Sequence, residues 1–235
     1  MHPTHPSAPR PAPGSVVLLG ATGAVGQEVL RALLDLPQAV QVTTLGRRPV
    51  NTPTHARLQQ RVVDVHTPAS YAPWLQGQQA AICTFGVGQP SQVSRSEFLR
   101  VDKDAVLAFA LACKQAGVEH FELLGSVGAD AASRSHYLRT KGELRDALVA
   151  LQFKRLSIFQ PSMILTPANR YGLSQALTLA LWPKLTFLLG GGLRKYRGIA
   201  VGTLGAAMAR NLFVPSPALE ILHWPEFMAL STAPR

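Results

Sequence analysis

Val16-Val17-Leu18-Leu19-Gly20-Ala21-Thr22-Gly23-Ala24-Val25-Gly26 is the stretch that decides the fold. Four consecutive apolar residues ending at a glycine read as a short strand buried on both faces, as parallel sheets contain. Directly after it, Val25, Val29, Leu30, Leu33 and Leu34 recur at helical spacing as far as Pro37, which predicts a helix over Ala24–Leu36. Gly20, Gly23 and Gly26 form a GxxGxxG turn between the two. Glycines permit the tight turn and let backbone approach a pyrophosphate closely. The helix N-terminus then offers free N–H groups and a partial positive charge. The predicted ligand class is a dinucleotide, with Thr22, Ala24 and Val25 of the same turn counted among its contacts.

Outward from this turn, strands are expected at Val40–Leu45, Arg61–Val65, Ala80–Phe85, Glu119–Gly125 and Arg155–Gln160. Between them lie a short helix or turn at Ser70–Leu75 and helices at Ser94–Ala116 and Ser135–Leu151. This alternation predicts an α/β fold with a doubly wound parallel sheet, the Rossmann architecture. After Pro161 the alternation stops. Leu173–Leu189 is strongly apolar but interrupted by Pro183-Lys184, and it is short for a membrane span. It reads as a buried core helix or as a subunit interface, the surface on which a homodimer would meet. A helix over Val201–Phe213 and a last strand over Ala218–His223 follow. A single domain is expected over 16–235, with a small substrate lobe mainly over 162–235. Residues 1–15, MHPTHPSAPRPAPGS, carry five prolines and no recurring apolar residue, and are expected to be a disordered tail without a secretory signal. His2 and His5 there have no partner ligands, so no metal site is expected.

Composition narrows the class. A chain of 235 residues, 47% apolar and 15% charged, buries a core without disulfides or metal. That excludes global disorder, collagen-like repeats and a disulfide scaffold. Cys83 and Cys113 sit in apolar runs and read as buried free thiols, which fits a reducing, cytoplasmic location. The net charge of +10 suits either a nucleic acid or an acidic small ligand. No groove-reading motif or aromatic platform accompanies it, so a phosphorylated cofactor is the better match and nucleic acid is not the expected partner. No Asp or Glu occurs between Asp146 and Glu220, which concentrates the positive excess in the C-terminal third.

Two further constellations carry chemistry. The second strand ends Leu45-Gly46-Arg47-Arg48, where an NAD site places an acid for the ribose 2′-hydroxyl. A guanidinium fork pairs with a 2′-phosphate instead, so NADP(H) is predicted over NAD(H). Asp64, at the end of the third strand, reads as an acceptor for the adenine amino group or as a turn cap. Tyr137 and Lys141 form YxxxK, and on a helix positions i and i+4 share a face. An ammonium there favours the phenolate and makes the tyrosine a usable general acid/base. Ser126, at the end of the fifth strand, converges on the same sheet edge and is placed to orient a carbonyl. Ser133 or Ser135 is expected to cap the tyrosine helix. His136 neighbours Tyr137 and is a candidate substrate contact, set against the rule that adjacent helical residues point apart. Cys113 lies on the apolar face of a core helix and makes no protease pair with His120. Arg194-Lys195-Tyr196-Arg197, after three glycines, reads as a basic loop that is either solvated or closes over an acidic ligand.

GATGAVG, LGRR, HFELLGSVGAD and YLRTKGE, in this order from Val16 to about Leu165, resemble the short-chain dehydrogenase/reductase superfamily. Within it they resemble the atypical, single-domain branch of the Tat-interacting, NADPH-binding oxidoreductase-like proteins. The resemblance implies that Gly20, Gly23 and Gly26 hold the pyrophosphate, Arg47 and Arg48 the 2′-phosphate, and that Asp64 and Val65 flank adenine. It implies that Thr84, Phe85 and Gly86 pass along the ribose, and that Pro161, Ser162 and Met163 lie beside the nicotinamide. Ser126, Tyr137 and Lys141 look like the catalytic trio, with Tyr137 and Lys141 also touching cofactor. The implied activity is NADPH-dependent hydride transfer to or from a small carbonyl or alcohol. A regulatory NADPH-binding protein acting through a partner is the alternative. The serine-to-tyrosine gap is shorter than is usual in the superfamily, and an acid near Val101-Asp102 replaces the asparagine often found on the central helix.

Overall fold

The computed structural model describes residues 14–52, 54–166 and 189–232. In chain order the elements are β1 (Ser15–Leu19), α1 (Ala24–Asp35), β2 (Gln41–Gly46), β3 (Leu58–Val62), β4 (Ala80–Cys83) and α2 (Arg95–Leu99). A π turn, Arg100–Asp104, joins α2 to α3 (Ala105–Gln115). There follow β5 (His120–Leu124), α4 (His136–Ala150), β6 (Arg155–Phe159), β7 (Ile164–Leu165), β8 (Ile199–Ala200), α5 (Val201–Asn211), β9 (Leu219–Leu222) and α6 (Trp224–Thr232). Seven strands form one sheet in the order β3-β2-β1-β4-β5-β6-β9, and every pairing in it is parallel. The doubly wound Rossmann architecture is therefore present. Strand order reverses between β1 and β4, and α/β sheets bind ligands at the carboxyl end of such a switch point.

The two-residue period of a strand sends side chains to opposite faces. Val16 and Leu18 enter a core with α1, α5 and α6, among Val29, Leu33, Leu204, Met208 and Phe227. Val17 and Leu19 enter a second core with α3 and α4, among Phe109, Phe121, Leu144 and Leu148. Phe227 stacks on Phe159 with ring centroids 5.6 Å apart. Complete burial of one such side chain is worth about 1.5–3 kcal/mol.

Three expectations change. The third strand lies at Leu58–Val62, not Arg61–Val65. It is the sheet's edge, so polar Gln59, Gln60 and Arg61 sit within it at little cost, and the register starts at Leu58 opposite Val42. Val63 and Val65, the apolar residues that drew the reading, are buried just beyond the strand, where the chain turns over the sheet edge. Secondly, much of the region expected as a substrate lobe builds the sheet and its first core. α5 packs on α1 so closely that a β-carbon on Gly205 would stand 2.5 Å from the Glu28 β-carbon, and β9 pairs with β6. What stands outside the sheet in the described part of 162–235 is a two-stranded β7–β8 pair and a helical turn at Gly191–Tyr196. Thirdly, the fourth strand ends at Cys83, leaving Thr84 and Phe85 in the turn beyond it. The proline-rich residues 1–13 and the apolar segment up to Leu188 lie outside the described residues.

Candidate functional site

The glycine turn is shaped by contacts that no side chain permits. Gly20 has φ +95°, a left-handed conformation, and a β-carbon there would meet the Phe85 nitrogen at 2.6 Å. Gly26 is tighter still, and its β-carbon would fall 2.1 Å from the Gly20 carbonyl oxygen. The Gly23 N–H donates to that oxygen at 2.9 Å, and the Thr84 hydroxyl donates to it at 3.2 Å. Turn, helix start and the end of β4 thus form one rigid cradle. Gly23 is the N-cap of α1, with no side-chain cap bond and no acid in the first turn. The partial positive charge of the helix end is left for a ligand anion.

The cradle opens into a cleft of about 350 Å³ lined by Gly20, Thr22, Gly46, Arg47, Arg48, Val65 and Phe85. Arg47 and Phe85 also line an adjoining cleft of about 380 Å³ with His66, Gly86, Val87 and Arg100. Arg47 and Arg48 are exposed at the rim of the first cleft. Asp64 is not among the lining residues. Its Oδ1 accepts from the His66 N–H at 3.0 Å and its Oδ2 from the Thr67 hydroxyl at 2.8 Å, so the carboxylate caps its own turn. The His66 bond, more than any other contact, holds it below the usual carboxylate range. Of the two readings open for Asp64, the structure supports the cap.

The second half of the site lies at the ends of β5 and β6. Ser135 caps α4, accepting from the Leu138 N–H at 3.4 Å, and so fixes where Tyr137 and Lys141 emerge. A β-carbon on Gly142 would stand 2.2 Å from the Ala131 nitrogen. The loop after β5 therefore lies directly on α4, tied further by Arg145 Nη1 donating to the Ala129 carbonyl at 2.7 Å. Ser126, in that loop, is buried. Its neighbour Val127 donates to the Pro161 carbonyl at 3.0 Å, which binds the loop to the Pro161-Ser162-Met163 segment. The Met163 carbonyl in turn accepts from Ile199 N–H at 2.9 Å. Tyr137 is half-buried, its ring 5.6 Å from that of Phe98 in α2. The His136 ring is 5.9 Å from the same Phe98, so this one side chain of α2 meets both residues.

Lys141 is only 8% exposed, and its Nζ lies 2.7 Å from Asp102 Oδ1. The YxxxK spacing gave no sign of this partner; the acid in Val101-Asp102 was the only sequence signal. Gly142, inside an otherwise unbroken helix, signals a different contact, the packing of the loop after β5 on α4. Cys83 ends β4 within electrostatic reach of Lys141 and Asp102, but burial pushes its thiol up to about 12, so it offers no nucleophile.

The cradle fits a dinucleotide: backbone fills the space a side chain would take, a bare helix end faces the cleft, and two arginines stand at the far rim. A family model described as NAD(P)H-binding matches residues 20–156. The chain belongs to this NAD(P)H-binding family, in the branch represented by the HTATIP2 and FMP52 proteins. It is 34% identical to Protein HTATIP2 of Rattus norvegicus over 212 residues, which is 89% of this chain and 86% of that protein. It is 29% identical to Protein FMP52, mitochondrial, of Candida albicans over 185 residues, 75% of this chain and 80% of that one. Among solved structures it is similar to MoeE5 in complex with UDP-glucuronic acid and NAD, with TM-score 0.69 at 19% identity, covering 89% of this chain and 75% of that one. It is also similar to a short-chain dehydrogenase/reductase superfamily protein from Agrobacterium tumefaciens with bound NAD, with TM-score 0.68 at 14% identity, covering 92% and 81%. At these identities the likeness is one of fold. No helix among the described residues is long and apolar enough to cross a membrane.

Proposed function

We propose that the protein is an NADPH-dependent oxidoreductase that interconverts a small carbonyl compound and its alcohol. The observation that carries this is the continuity of the glycine cradle with the arginine pair in one cleft, at the sheet edge where Ser126 and the α4 face of Tyr137 and Lys141 also end. Gly20, Thr22, Gly23, Ala24, Val25 and Gly26 would hold the pyrophosphate through backbone N–H groups. Arg47 and Arg48 would hold the 2′-phosphate, and Val65, Thr84, Phe85 and Gly86 would line the adenosine side. Bound NADPH supplies the hydride. The chain's part is to place the acceptor: Ser126 donates a hydrogen bond to the substrate oxygen, Tyr137 delivers or removes the proton on it, and Lys141 fixes the ribose and the tyrosine. Pro161, Ser162 and Met163 close the nicotinamide end.

Titration with NADPH and NADH, followed by a carbonyl reduction screen with wild type and Tyr137→Phe, tests the proposal. NADPH is expected to bind at least tenfold more tightly than NADH, on the order expected for a 2′-phosphate held by two guanidinium groups. Tyr137→Phe is expected to keep NADPH binding and lose about 10²–10⁴-fold in turnover. Equal affinity for the two cofactors refutes the arginine assignment.

A second reading, an NADPH-binding regulator acting through a partner, has one observation in its favour: the Lys141 charge is already balanced by Asp102. Tight NADPH binding with no turnover across the screen selects it. We also propose a single domain over 16–235 and, because Cys83 and Cys113 are buried and free, a reducing compartment such as the cytoplasm. Fractionation decides between that and the mitochondrion for which the FMP52 relatives are named.

A further inference from the structure

The Asp102 carboxylate stands where two donors converge. Oδ1 accepts from Lys141 Nζ at 2.7 Å, and Oδ2 accepts from the Val87 N–H at 2.8 Å. Asp102 is 2% exposed, so water supplies neither oxygen's main partner. An ammonium and a backbone N–H donate only. A side chain between them has to accept on both sides, which a carboxylate does. An asparagine at this position would turn its NH₂ toward one of the two donors.

We propose that Asp102 is a positioning residue that clamps Lys141 to the turn after β4, residues 85–88, so that the grip on the cofactor and the placement of Lys141 are set together. The proposal rests on the cofactor reading above. Two further features of the structure support it. A β-carbon on Gly86 would stand 2.8 Å from Asp102 Oδ1, so the turn closes down directly on the carboxylate. Asp102 also lies in the π turn, whose wider coil sets it apart from the regular helix on either side. The next residue, Lys103, bonds Glu143 at 2.5 Å, and this pins the same turn to α4 a second time. A buried ion pair contributes little net stability, because desolvation offsets most of the attraction. Geometry is what this one supplies. It follows that Asp102, with both oxygens engaged as acceptors of fixed donors, holds Lys141 in place.

The test uses the full chain without cofactor and reads exchange of the Val87 amide hydrogen. Lys141→Met does not touch Val87, yet it removes the partner that holds the carboxylate in place. Exchange at Val87 is expected to quicken about tenfold in Lys141→Met and in Asp102→Asn. The Val63 amide, bonded to Gly46, keeps its rate. NADPH affinity is expected to fall about tenfold in Asp102→Asn, the scale of one lost charge-assisted hydrogen bond. Adding Asp102→Asn to Lys141→Met should cost nothing more. Unchanged Val87 exchange in Lys141→Met, or losses of affinity that simply add, overturns the clamp. A wild-type chain that binds no dinucleotide overturns the cofactor reading instead, and Val87 exchange still decides the clamp. Should a single variant fail to fold, the double variant buries no unpaired charge and carries the comparison: Val87 exchange as slow as in wild type overturns the clamp there.

Discussion

A β-carbon on Gly26 would lie 2.1 Å from the carbonyl oxygen of Gly20. That oxygen also accepts the Gly23 N–H and the Thr84 hydroxyl, so it cannot withdraw without breaking the cradle. Gly26→Ala is therefore expected to cost about 1–3 kcal/mol, lowering Tm by several degrees, on the order of 2–4 °C per kcal/mol for a chain of this size. NADPH binding should weaken far more than stability does. Calorimetry with and without NADPH checks both; a variant that binds like wild type refutes the close-approach argument.

Arg47 lines both adjoining clefts, whereas Arg48 lines only the cradle's cleft. If both meet a 2′-phosphate, replacing each with serine removes charge-assisted bonds worth about 1.5–3 kcal/mol, or ten- to a hundredfold in affinity. The loss should appear with NADPH and be nearly absent with NADH. Equal losses for both cofactors would mean that the arginines grip the pyrophosphate or merely shape the rim.

Glu122 predicts a pH effect far from the cleft. It is fully buried, and burial pushes its carboxyl well above the ordinary value of 4.5. Asn211 Nδ2 donates to its Oε1 at 2.9 Å. Glu122 Oε2 is buried with no donor to accept from, and a retained proton there removes the charge that burial penalises. The folded chain then holds a proton that the unfolded chain has released above about pH 4.5, so stability falls as pH rises, by at most about 1.4 kcal/mol per pH unit. His120 works in the opposite sense: burial holds it well below 6.5, so its contribution is lost as pH falls through that value. Glu122→Gln removes only the first slope. Its urea midpoint should gain on wild type as pH rises above about 4.5; a gap independent of pH rules the retained proton out.

The fold was legible because β1, β4 and α1 are buried in the pattern their sequence displays. Val16-Val17-Leu18-Leu19 is apolar on both faces because both faces are covered. β3 was misplaced because an edge strand need not be apolar, and Gln59-Gln60-Arg61 carries no periodic signal. The glycine turn and the arginine pair were legible since local backbone geometry dictates them. Asp102 as the partner of Lys141 was not, because the pair joins residues 39 apart and only the packing of the π turn on α4 brings them together. The same holds for Phe98 against both His136 and Tyr137, and for Asn211 against Glu122, whose partners come from different layers.

The family match ends at residue 156, yet one face of the matched sheet is covered by residues beyond it. Val16 and Leu18 share their core with Leu204, Met208 and Phe227. A chain emerging from the ribosome thus has its cofactor cradle in sequence early, while the core beneath one face of its sheet closes late. Until Leu204, Met208 and Phe227 are available, α1 alone covers that side of the sheet, and the nascent nucleotide half is the part exposed to aggregation or to chaperones.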